Sequence, residues 1–79
     1  MNAQFSIMLT AGERAAITAI NAAQDGELMR GRQGFGDGAV TMRMARKLER
    51  LGLAEMDNEE WPSLIRLTAY ARQSGVVAA

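Results

Sequence analysis

Seventy-nine residues without a histidine or a cysteine rule out a disulfide framework and thiolate or imidazole metal centres, and remove the commonest general base, so no enzymatic activity, metal or cofactor is expected. A chain this short is read as one domain, 1–79, that buries roughly 60% of its unfolded surface and has little room for a large active-site cleft. Nine basic and nine acidic side chains cancel, leaving no global attraction to nucleic acid.

An apolar content of 48% with a single proline indicates an ordered chain whose core rests on Leu, Ile, Met, Val and Ala. The opening MNAQFSIMLT has no basic region, and no run approaches the ~20 apolar residues of a membrane span. A soluble, cytoplasmic protein is expected.

Within residues 1–9, Phe5, Ile7 and Leu9 alternate with Gln4, Ser6 and Met8, as a short half-buried strand would, and a flexible arm is the alternative. Thr10-Ala-Gly-Glu13 is a capping box and predicts a helix from about Ala11 to Gln24, with Ala16, Ile17, Ile20 and Ala23 as its apolar stripe and Gly26 as its stop. Four glycines between Gly31 and Gly38 disfavour regular helix, so a short strand at Glu27 to Met29 and then a loop are expected. Phe35 is expected to anchor that loop, and Asp37 to cap the helix that follows.

That helix, from about Gly38 to Leu51, organises the chain. At about 100° per residue, Val40, Met44, Leu48 and Leu51 share a packing arc, while Ala39, Arg43, Arg46 and Arg50 share an outward one. Gly52 should close it in the left-handed region. Runs at Leu53 to Met56 and Leu64 to Leu67 predict a β-hairpin with an acidic tip, in which Pro62 takes an unpaired position and Trp61 anchors the packing. Thr68 should cap a last helix through about Gln73, with 74–79 a tail in which Val76 and Val77 could meet a partner chain.

Charge is distributed unevenly along the chain. Between Arg30 and Arg50 six cations face two anions, a balance of +4; between Leu53 and Trp61 there are four anions and no cation, a balance of −4. Arg43, Arg46, Lys47 and Arg50, with Arg32 and Gln33 in the preceding loop, are candidates for reading phosphates and bases. The alternative is a solvated helix face paired with Glu49 and the acidic hairpin. Gly31-Arg-Gln-Gly34 matches a GxxG spacing that recurs by chance, and Gly34-Phe-Gly-Asp-Gly38 lacks the Gly-Lys-Ser/Thr ending of a phosphate loop. Glu59 and Glu60 have no orienting partner in sequence that would make them an acid-base pair.

The order helix, short strand, loop, helix, glycine turn, hairpin, helix resembles a winged helix domain, mainly α with a two- or three-stranded antiparallel sheet. Arg43, Met44, Leu48-Glu-Arg-Leu-Gly-Leu53 and Arg66-Leu-Thr-Ala69 look like the recognition helix, wing and exit segment of MarR-like bacterial regulators, a resemblance that covers about residues 39–72. It implies a bacterial or phage transcription regulator of helix-turn-helix type, binding double-stranded DNA as a homodimer with this helix in the major groove. Met42, Arg43 and Arg46 would then face base edges or adjacent phosphates, with Lys47 and Arg50 nearer the backbone. Only about twelve residues separate Gly26 from the long helix, so the first helix of the motif is expected to be a turn or missing. An acidic wing also fits a second class, a protein-interaction module such as a phage-type inhibitor or adaptor, in which Asp57, Glu59, Glu60 and Trp61 meet a basic partner surface.

Overall fold

The computed structural model describes residues 8–74. The helix α1 spans Ala11–Ala22, followed by a 3-10 turn at Gln24–Gly26; strands β1 (Glu27–Gly31) and β2 (Gly34–Phe35) come next, then α2 (Met42–Arg50), strands β3 (Ala54–Met56) and β4 (Leu64–Leu67), and the short α3 (Ala69–Gln73). Four antiparallel strands form one sheet in the order β2-β1-β4-β3. The fold is therefore mixed α/β, with more strand than a mainly α reading and more strands than the two or three expected. The strand or arm expected at the amino terminus lies, apart from Met8 and Leu9, outside the described residues, as does the tail from Gly75.

Thr10 builds the start of α1 as its sequence predicts. Its hydroxyl accepts from the Glu13 amide at 3.1 Å, and the Glu13 carboxylate accepts from the Thr10 amide at 2.9 Å, so two otherwise orphaned amides are satisfied reciprocally. Glu13, Ala16, Ile17 and Ile20 line the buried side. The helix ends at Ala22, two residues short of expectation, because Ala23 is already extended and Asp25 and Gly26 both take positive φ. This left-handed pair turns the chain into β1.

The glycine-rich stretch is a hairpin and a tight bend rather than an open loop. Arg30 faces Phe35 and Gly31 faces Gly34 across a two-residue turn at Arg32 and Gln33. Phe35 and Val40 then exchange amide-carbonyl bonds of 2.8 and 3.1 Å, enclosing Gly36, Asp37 and Gly38, all three with positive φ. A side chain at Gly34 would place its Cβ 2.5 Å from the Val40 carbonyl oxygen, which is how β2 can press on the start of α2. Phe35 is fully buried, as expected of the loop's anchor.

Asp37 does not cap the helix. It sits at φ 58° inside the bend, and α2 begins four residues after the expected Gly38, capped by Thr41, whose hydroxyl accepts from Met44 N at 3.1 Å. Val40 thus packs from outside the helix. The buried centre of α2 moves round to Ala45 and Leu48, with Met42, Met44 and Leu51 half-buried against the core.

At the other end of α2, Gly52 has φ 78° and Leu53 N donates to Leu48 O at 2.9 Å, the six-to-one bond of a left-handed helix stop. Thr68 ties this stop to the end of β4: its amide donates to Leu53 O and its hydroxyl to Gly52 O. The same hydroxyl accepts from Ala71 N and caps α3. In the sheet, Leu28, Ile65, Leu67, Ala54 and Met56 face the helices, whereas Glu27, Arg66 and Glu55 pair across the outer face. The two carboxylates, Glu55 foremost, hold the Arg66 guanidinium above its ordinary pKa.

Candidate nucleic-acid interface and acidic tip

The outward side of α2 is the centre of positive charge. With Ala45 and Leu48 fixed inward, the helical period turns Arg43, Lys47 and Arg50 outward on neighbouring turns. Together with Thr41 and Met44 they line an open depression of about 330 Å³. Arg43 and Arg50 form no ion pair with any described residue. Lys47 bridges the buried carboxylate of Glu13 on α1 while keeping about half of its side chain exposed. That lysine bond, and next the Thr10 amide, hold Glu13 below the ordinary carboxylate range.

Arg46 leaves this group. It lies on the flank of α2 toward the hairpin, where Nη2 donates to the Glu59 carbonyl oxygen and Nη1 meets Glu49 at 3.4 Å. Met42 also lies away from the exposed arc, because it packs against the core. Of the residues that the resemblance would place on DNA, Arg43, Lys47 and Arg50 share a face, while Met42 and Arg46 do not. Arg32 and Gln33 sit at the exposed β1–β2 turn. A Cβ at the adjoining Gly34 would come within 3.1 Å of the Thr41 Cα, so the turn stands beside the amino-terminal end of α2.

The acidic tip between β3 and β4 is ordered by its own polar side chains. The Asp57 carboxylate accepts from Ser63 N at 2.7 Å and Leu64 N at 3.2 Å, and these bonds, Ser63 first, hold it below its ordinary pKa. Asn58 Oδ1 accepts from the amides of Glu60 and Trp61, an Asx turn that sets the direction of the loop. Asp57 is thereby committed to its own loop. Glu59 and Glu60 are exposed and form no ion pair with any described residue.

Trp61 is not the packing anchor of the hairpin. It is 74% exposed, and Arg30 lies 5.8 Å from its ring centroid while donating from Nη1 to the Pro62 carbonyl. Pro62 fills the buried position instead. The Asx turn at Asn58 fixes the backbone at the Trp61 amide, a turn signal present in Asp57-Asn58 but outweighed in sequence by the apolar bulk of tryptophan.

No protein-family model, curated protein or solved structure matches this chain. Fold and surface define a small mixed α/β domain with a basic helix face on one side and an ordered acidic-aromatic tip beside it. Among the described residues no helix is long and apolar enough to cross a membrane.

Proposed function

We propose that the chain is a cytoplasmic DNA-binding protein of winged-helix type, acting in bacterial or phage transcription control, with α2 in the major groove. The observation that carries this reading is the grouping of Arg43, Lys47 and Arg50 on the outward side of a helix beside a hairpin. The sheet order supports it, since β1 pairs with β4 and β4 with β3, leaving the β3–β4 connection to project as a wing next to α2. The β1–β2 hairpin then replaces the first helix of the helix-turn-helix and brings Arg32 and Gln33 to the start of the reading helix. Two copies on adjacent half-sites would supply the contacts that one small module lacks.

The binding is electrostatic at its base. With Arg46 held by the hairpin and Lys47 shared with Glu13, about three cations, Arg32, Arg43 and Arg50, are uncommitted. At a slope of about −0.9 per phosphate contact, raising salt from ~50 to ~200 mM weakens binding by roughly fortyfold. Fluorescence anisotropy on a labelled mixed-sequence duplex tests this, with R43E/R50E as the control. Absence of binding at low salt, or an unchanged affinity in that variant, overturns the reading.

A second reading, a protein-interaction module, is favoured by one separate observation: Glu59, Glu60 and Trp61 are displayed on a loop braced by Asp57 and Asn58. A phosphate-binding wing would carry cations there, whereas this tip suits a basic protein surface.

A further inference from the structure

We infer that the basic surface met by the acidic tip is α2 of a second copy of this chain, and that the two copies exchange tips in a closed pair. The inference rests on the protein-interaction reading of the tip and names its partner. Glu59 and Glu60 on one side, and Arg43 and Arg50 on the other, are exposed charges of opposite sign without ion partners among the described residues. The depression between Thr41, Met44, Lys47 and Arg50 adds an apolar thioether to its cations, the mixed lining that an indole with flanking carboxylates fits. Within one chain the two surfaces do not meet, because Arg46 pins the Glu59 carbonyl to the flank of α2 and Asn58 fixes the direction of Glu60 and Trp61.

A two-fold axis that seats one tip in the partner's depression also seats the partner's tip in the first, so every contact is made twice and the assembly closes at two. This pair covers the same cations that DNA would use. Free protein and DNA-bound protein therefore compete for one helix face, and self-association lowers the amount of chain available to DNA.

Sedimentation equilibrium without DNA tests the inference independently of any DNA binding. The wild-type chain is expected to dimerise at low salt, and to dissociate as salt rises and screens the charges. E59K/E60K alone and R43E/R50E alone each set like charge against like and should weaken association at least roughly tenfold. Mixing these two variants restores opposite charge at both contacts, so a heterodimer of near wild-type affinity is expected. All four positions are exposed, and matching circular dichroism spectra verify the fold. Wild type that stays monomeric at low salt, a dimer that survives in either variant alone, or a mixture that fails to associate overturns it. DNA binding could fail in its own assay and leave this result standing.

Discussion

Lys47 of α2 closes an ion pair with Glu13 of α1, and that carboxylate is only 3% exposed at the residue level while also capping its own helix. One side chain thus serves two helices. The pair ties α2 to α1, where the Met44 methyl lies 3.6 Å from the position a Cβ at Gly12 would take, an ordinary contact distance. Lys47 belongs to the basic face and to this tether at once.

Acid should therefore loosen the tether. Glu13 has a folded pKa below its ordinary value, so between the two values the unfolded chain binds more protons and stability rises with pH. Its contribution is complete above the ordinary carboxylate value and is lost as pH falls through the folded one. Glu13→Gln keeps much of the capping geometry but removes this charge; Glu13→Ala removes both. Urea midpoints at neutral pH are expected in the order wild type, Glu13→Gln, Glu13→Ala. Below pH ~4 the gap between wild type and Glu13→Gln should narrow. Asp57, also depressed, leaves part of the acid slope in place. A wild-type curve parallel to that of Glu13→Gln at all pH values would remove the ion pair from the account.

The capping of α2 gives a sharper contrast. Thr41 accepts from Met44 N, so Thr41→Ala should cost about 1 kcal/mol, a fall of roughly 4–8 °C in Tm for a domain of this size. Asp37 is a residue with a Cβ held at φ 58°, a conformation that glycine adopts without that penalty. Asp37→Gly should leave Tm unchanged or raise it. Thermal unfolding followed by circular dichroism decides between the two caps, and an equal loss in both variants would restore Asp37 to the helix terminus.

Much of this fold can be read from local chemistry. Thr10 and Thr68 announce their helices, Gly52 ends α2, and the run from Leu64 to Leu67 gives β4. The segment from Gly31 to Thr41 is less legible, because its glycines serve three ends at once: hairpin register at Gly34, a left-handed bend at Gly36 and Gly38, and close approach of β2 to Thr41. Only the partner backbone distinguishes these uses. Including Val40 in the helix turns the expected packing arc away from Ala45 and so puts Arg46 on the expected outward face, whereas Met42 is placed there by the resemblance alone. The basic face itself is legible from the period of the arginines. The pinning of Arg46 is not, since it depends on where a loop thirteen residues away comes to rest.

Trp61 tests whether size or loop geometry governs the tip. An aromatic anchor in a core costs about 3–5 kcal/mol on truncation to alanine, and that is the expectation for the fully buried Phe35. Trp61 instead has the Arg30 guanidinium near its ring, an exposed cation–π contact worth about 0.5–1 kcal/mol. Trp61→Ala should therefore cost no more than about 1 kcal/mol in urea unfolding, while Phe35→Ala consumes a large share of a small domain's stability. As the chain's single tryptophan, Trp61 also reports its own exposure: acrylamide should quench its emission readily in the native monomer. Under dimer-forming conditions that quenching should fall in the wild type and remain high in R43E/R50E, because only the docked indole is withdrawn from solvent. A large stability loss in Trp61→Ala, or an indole shielded in the monomer, would return it to the hairpin core and leave the tip without its apolar contact.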